Sequence, residues 1–146
     1  LFVAVAKALY DRAHFVHVGP TVTLLSGPVI RHIGPQPHAT TLAWMRAASL
    51  VMVPSVQADA LPRVALEAQA QGTRVLGSTR GGIPETGAMV AEPEAQEMVR
   101  AARTLLGAER VFGHDRALIR ADVLDAFGPE VTTAKVVACY AGILRG

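Results

Sequence analysis

Short apolar runs alternate with longer amphipathic ones along this chain. HFVHVG at 14–19 and VIRHIG at 29–34 are rich in β-formers and end in glycine. LVMVPS at 50–55, RVLGS at 74–78 and AMVAEP at 88–93 repeat the form. Brief runs closed by Gly, Pro or Ser read as strands with apolar residues on both faces. Helical patterns lie between them, at 2–12, 39–48, 62–71, 94–106, about 114–123 and about 129–144. Thr40 or Thr41 is the expected cap of the second, and Pro62 stands in the first turn of the third, where its missing N–H had no partner to lose. Strands separated by helices of this length need crossover connections, hence βαβ units. The expected fold class is α/β, a Rossmann-like parallel sheet with flanking helices.

Composition narrows this little. A chain of 146 residues fits one domain, and 51% hydrophobic against 18% charged residues is a globular balance. Fourteen basic residues against twelve acidic ones give +2, with no Lys/Arg run, so nucleic acid is not an expected partner. No window reaches the roughly 20 apolar residues that span a bilayer. LFVAVAKAL is too short for a signal peptide and lacks a basic flank; opening inside an apolar pattern, the chain reads as cut from something longer. The single Cys139 fits a reducing compartment. It lies in VVACYAGIL and is expected to pack in the core.

The chemistry concentrates after the third strand. LVMV runs into Pro54-Ser55, a loop carries Asp59, a helix opens at Pro62, and Glu67 lies one to two turns along it. Open α/β sheets bind ligands at the carboxyl ends of their strands. The first N–H groups of a helix favour anionic or hydroxyl-rich ligands there. A carboxylate can accept two hydroxyls of a vicinal diol. Each acid also has an ordinary explanation: Asp59 as a helix cap, Glu67 as the i,i+4 ion-pair partner of Arg63. A second loop, Ser78-Thr79-Arg80-Gly81-Gly82-Ile83-Pro84-Glu85, follows the next strand. Its paired glycines allow close backbone approach, and Arg80 offers charge to a diphosphate. Two polar loops at neighbouring strand ends make one cleft.

PSVQADALPRVALEAQAQGTRVLGSTRGGIPE resembles the signature of the group 1 retaining glycosyltransferases, glycosyltransferase family 4. In that family two acids, with seven residues between them, follow a "PS" strand end; then come a "G-T-x-V" strand and a "GG-x-P-E" loop. Here those are Asp59 and Glu67, Gly72-Thr73-Arg74-Val75, and Gly81-Gly82-Ile83-Pro84-Glu85. VHVGP at 16–20, MRAASLVMVPS at 45–55 and the final helix with Tyr140 extend the resemblance over most of the chain. It implies the C-terminal half of a GT-B fold, with residues 1–146 a partial nucleotide-sugar-binding domain. It implies that Glu67 binds the donor's ribose and that Asp59, the catalytic-site acid, contacts the donor sugar near its anomeric centre. Ala60, Leu61 and Pro62 would touch sugar and phosphate, and Ser78, Arg80, Gly81 and Gly82 would line the neighbouring wall. It implies a UDP- or GDP-sugar donor, no metal or other cofactor, a cytoplasmic setting at most peripheral to the inner membrane face, and a saccharide, lipid or other acceptor held by an N-terminal domain outside these residues.

Departures from the pattern also matter. Asp59 is one methylene shorter than the usual Glu, and Ala60 and Pro62 stand where glycines are frequent. The family's opening strand and its diphosphate-holding "G-R-x-x-x-x-K-G" loop have no counterpart, since LFVAVAKAL matches the helix after them. Without that central strand, the runs at 14–19 and 50–54 are expected to flank a gap or to close up, leaving strand edges exposed and the chain marginally stable. His14, His17, His32, His38 and His114 share no metal-ligand spacing. Trp44 and Met45 are expected in the core. Ser55 has no nucleophile elbow and there is no P-loop. Two readings remain beside the transferase: a non-catalytic nucleotide-sugar-binding module and, more distantly, a nucleotide-sugar epimerase.

Overall fold

A computed structural model describes residues 1–20, 28–112 and 115–145. His114, one of the five histidines, lies outside the described residues. The elements follow the alternation read from the sequence. Helix α1 (Phe2–Ala8) leads to β1 (Phe15–Val18) and β2 (Ile30–Gly34). Then come α2 (His38–Ala47), β3 (Val51–Val53), α3 (Arg63–Ala70) and β4 (Val75–Ser78). A 3₁₀ turn (Pro84–Thr86), β5 (Met89–Ala91), α4 (Ala95–Phe112), α5 (Arg116–Phe127) and α6 (Pro129–Arg145) complete the chain.

All strand pairs are parallel. Phe15 pairs with Ile30 between β1 and β2, Val51 with Val75 between β3 and β4, and Leu76 with Met89 between β4 and β5. The result is two sheets, β1-β2 and β3-β4-β5, with no ladder from β1 to β3 among the described residues. The two runs do not close up into one ladder among the described residues. Side chains on β4 alternate between two buried clusters, as strand geometry requires. Leu76 joins Val5, Leu9, Phe15, Ile30, Met98 and Leu105, so one cluster spans both sheets beneath α1 and α4. Val75 joins Met45, Val53, Ala65, Ala68 and Ile83 beneath α2 and α3. Helices therefore cover both faces, and every strand in a sheet presents its carboxyl end to the same edge.

The Gly72-Thr73 step before β4 is tightly specified. Gly72 has φ +77°, and a Cβ there would lie 2.7 Å from the Arg116 carbonyl oxygen. The fully buried Thr73 donates its hydroxyl to the Met45 carbonyl at 2.8 Å and accepts from Arg116 Nη1 at 3.0 Å. Arg116 also donates to the Arg46 and Ala48 carbonyls at 2.8 and 3.3 Å, tying α5 to the end of α2.

Several boundaries and placements differ from the sequence reading. Helix α2 starts at His38 behind Pro37, and Thr41 donates its hydroxyl back to the Pro37 carbonyl instead of capping. Pro62 is the cap position of α3, not a residue of its first turn. Helix α4 continues through Gly107, because the good helix formers Ala108, Glu109 and Arg110 follow it. Helix α5 begins at Arg116, since Asp115 accepts from the N–H groups of Ala117 and Leu118, both at 3.0 Å. Met45 is buried as expected. Cys139 is not in the core: it is exposed on α6, together with Val136, Val137, Tyr140, Ile143 and Leu144. The apolar pattern there does not bring burial, because among the described residues the main packing partner of α6 is α5.

Candidate functional site

Two loops at the carboxyl edge of the three-stranded sheet build the site. The first leaves β3 at Val53 and reaches α3 at Arg63. Pro62 is buried at its end, with an extended backbone (φ −72°, ψ 107°) that sets the entry angle of the helix. Ser55, Val56, Gln57, Ala58, Asp59 and Ala60 line an open hollow of about 400 Å³. Asp59 is exposed. It does not cap α3, whose start has no side-chain cap and no acidic residue in its first turn. The capping explanation of Asp59 therefore fails. The Ala65 N–H donates to the Pro62 carbonyl at 3.0 Å; the N–H groups of Arg63 and Val64, at the very start of the helix, have no intrahelical partner, and the dipole there is not offset by a carboxylate.

The second loop is fastened to the first through its glycines. The Gly82 N–H donates to the Asp59 carbonyl at 2.7 Å. A Cβ on Gly82 would lie 1.9 Å from the Ala60 carbonyl oxygen. A Cβ on Gly81 would lie 2.1 Å from the Asp59 oxygen, and Gly81 holds φ +59°. What approaches these glycines closely is thus the 59–60 backbone, and the Gly82 amide is already committed to it. Ser78 is fully buried, and its hydroxyl oxygen accepts from the Arg80 N–H at 3.4 Å. Thr86, buried in the 3₁₀ turn, donates to the Ile83 carbonyl at 2.7 Å and pins the far side of the loop. The Arg80 side chain projects into solvent with no ion pair among the described residues.

Glu67 lies in the second turn of α3, with its side chain 32% exposed. It forms no ion pair with Arg63. Its partner is His38 at the start of α2, with Nε2 3.5 Å from Oε2. The structure therefore joins Asp59, Ala60, Gly81 and Gly82 by direct contact, sets Leu61 and the buried Pro62 beside them, and gives neither Asp59 nor Arg80 an ion pair among the described residues. The sequence alone offers His38 only as a metal-ligand candidate and does not point to this role, because no local spacing pairs α2 with α3. Among the described residues no group of three or more His, Cys, Asp or Glu side chains is placed to hold a metal ion. No helix among them is long and apolar enough to cross a membrane.

Parallel strands, helices on both faces and a polar cleft at the strand ends define a Rossmann-like α/β domain. Its family is more specific. Residues 1–108 match the family described as "Glycosyl transferases group 1", and the chain belongs to that family. It is 36% identical over 119 residues to a D-inositol 3-phosphate glycosyltransferase of Catenulispora acidiphila, covering 82% of this chain and 24% of that protein. A protein of the same name from Segniliparus rotundus is 37% identical over 120 residues, covering 76% of this chain and 26% of its own length. The chain thus spans about a quarter of these relatives. Among solved structures, a glycosyltransferase from Rickettsia africae superposes with a TM-score of 0.79 at 18% identity, over 99% of this chain and 44% of that one. HepE from Anabaena, solved with UDP-glucose, superposes with a TM-score of 0.74 at 17% identity, over 95% and 44%. The fold is that of the C-terminal half of a GT-B glycosyltransferase.

Proposed function

We propose that this chain is the donor-binding part of a glycosyltransferase that moves a sugar from a UDP- or GDP-sugar to an acceptor with retention of anomeric configuration. The observation that carries the reading is the uncapped start of α3, flanked by the unpaired Asp59 carboxylate, the unpaired Arg80 guanidinium and the half-buried Glu67. The solved neighbour holding UDP-glucose supports a nucleotide-sugar ligand for such a cleft.

In this reading Glu67 accepts the two ribose hydroxyls and Asp59 accepts hydroxyls of the donor sugar beside its anomeric carbon. The diphosphate lies toward the first turn of α3. Because Pro62 has no N–H, the helix donors begin at Arg63. Arg80 and these N–H groups take up the charge that develops on the departing diphosphate, and no metal ion or other cofactor is required. Ala60 and Leu61 give the backbone surface for the sugar, while Ser78, Gly81, Gly82 and Pro62 hold the two loops at the spacing the donor needs. The acceptor, a saccharide, lipid or other hydroxyl compound, is held by an N-terminal domain outside these residues, and the enzyme acts in the cytoplasm.

Calorimetric titration with UDP, GDP, UDP-glucose and GDP-mannose tests the proposal. One nucleotide and its sugar should bind, and Glu67→Ala should weaken both. Unchanged affinity in that variant removes the ribose assignment. Binding without transfer by the full-length parent would favour the second reading, a non-catalytic nucleotide-sugar module; the shortened reach of Asp59 is the feature that keeps it open.

A further inference from the structure

Helices α2 and α3 both start at the carboxyl ends of strands, α2 after β2 and α3 after β3, and they pack on each other. One ion-pair contact bridges them. His38, the first residue of α2, brings Nε2 to 3.5 Å from Oε2 of Glu67. The two charged residues of α3 are Arg63 and Glu67, and the other charged residue of α2, Arg46, is at its far end. Among the described residues Glu67 alone comes within ion-pair distance of His38. The His38 side chain is 68% exposed, so the cleft's solvent reaches both partners.

We infer that His38 is a positioning residue for the donor site, holding the Glu67 carboxylate oriented for the ribose diol; this rests on the reading of Glu67 as the ribose-binding acid. A glutamate side chain has three rotatable bonds, and without a partner its orientation must be fixed at the moment of ligand binding. His38 occupies one carboxylate oxygen and leaves the other, with the second lone pair of the first, for two hydroxyls. The contact is exposed, and the effect has the size of an exposed ion pair, about threefold in affinity.

The test is UDP-glucose binding to this chain, with GDP-mannose as second probe, in wild type, His38→Ala, Glu67→Ala and the double variant. His38→Ala should bind about threefold more weakly than wild type. In the Glu67→Ala background the same change should have no further effect, since the contact it removes is already gone. His38→Gln, a neutral hydrogen-bond donor, should recover part of the affinity. A His38→Ala variant that binds as tightly as wild type, or that loses affinity equally with and without Glu67, overturns the inference while leaving the donor site intact. Failure of wild type to bind either probe overturns the donor reading and this inference with it.

Discussion

At Gly82 the two loops of the cleft leave no room for a methyl group. The Ala60 carbonyl oxygen stands 1.9 Å from where a Cβ would be, and that oxygen belongs to backbone that is itself fixed by the Gly82 N–H. Gly82→Ala should therefore push the 59–60 segment outward and cost about 1–3 kcal/mol in a denaturant melt, the range for inserting atoms into a packed site. Gly81→Ala carries the same clash at Asp59 and adds a left-handed backbone penalty of about 1 kcal/mol. Both variants should weaken nucleotide-sugar binding, because the segment they displace carries Asp59. Glu67→Ala should act differently: affinity falls about tenfold or more through loss of hydrogen bonds to a charged acceptor, while a half-buried surface acid leaves the melt almost unchanged. Asp59, Glu67 and the Gly-Gly pair were legible as a cleft because their order along the chain survives any error in element ends. The service each performs was less legible. The glycines read as room for a phosphate, yet the close neighbour is the other loop. The local partner suggested for Glu67 was Arg63, but the one it meets is His38, brought in by the packing of α2 on α3, a contact that local spacing does not encode.

Helix α5 shows what holds an element that the hydrophobic pattern described only loosely. Its start is fixed by Asp115, which accepts from two first-turn N–H groups. Asp115→Ala should cost about 1 kcal/mol, the usual worth of such a cap, read as a shift in denaturant midpoint with unchanged slope. Its position is fixed by Arg116, whose guanidinium reaches the Arg46 and Ala48 carbonyls and the Thr73 hydroxyl. Arg116→Ala leaves the C-terminal end of α2 and the buried Thr73 short of a donor, so it should be the costlier change of the two, about 1.5–3 kcal/mol for hydrogen bonds to a charged group. Strand positions were recoverable because short β-branched runs between glycines and prolines allow few alternatives. Helix ends were less so: the extension of α4 past Gly107 and the late start of α5 depend on propensities summed over a turn and on one cap. No periodicity signals Arg116, since the carbonyls it ties lie 68 and 70 residues earlier in the chain.

On the scale of the whole chain, two sheets share one core without a ladder between them. Phe15 and Ile30 from one sheet and Leu76 from the other are buried in a single cluster with α1 and α4. Each of β1 and β3 is bonded to one strand neighbour among the described residues, so the inner edges facing the junction carry backbone groups outside any ladder. Such edges are templates for pairing with another chain. The last helix adds apolar surface: Val137 is 60% exposed, Tyr140 64%, Ile143 69% and Leu144 85%. Contiguous patches of this kind drive association. Among the described residues no strand ladder joins the two halves, which meet in a shared side-chain core, and each half has a short sheet of two or three strands. The chain by itself should therefore melt at modest temperature, at or below the mesophile range that ends near about 65 °C. Its apparent midpoint should also move with protein concentration, because association and unfolding are coupled. Circular dichroism melts at two concentrations a hundredfold apart, paired with sedimentation velocity, would read both. A sharp, concentration-independent transition well above about 60 °C from a monomer would mean that the packing of Phe15, Ile30 and Leu76 joins the sheets as firmly as a ladder would.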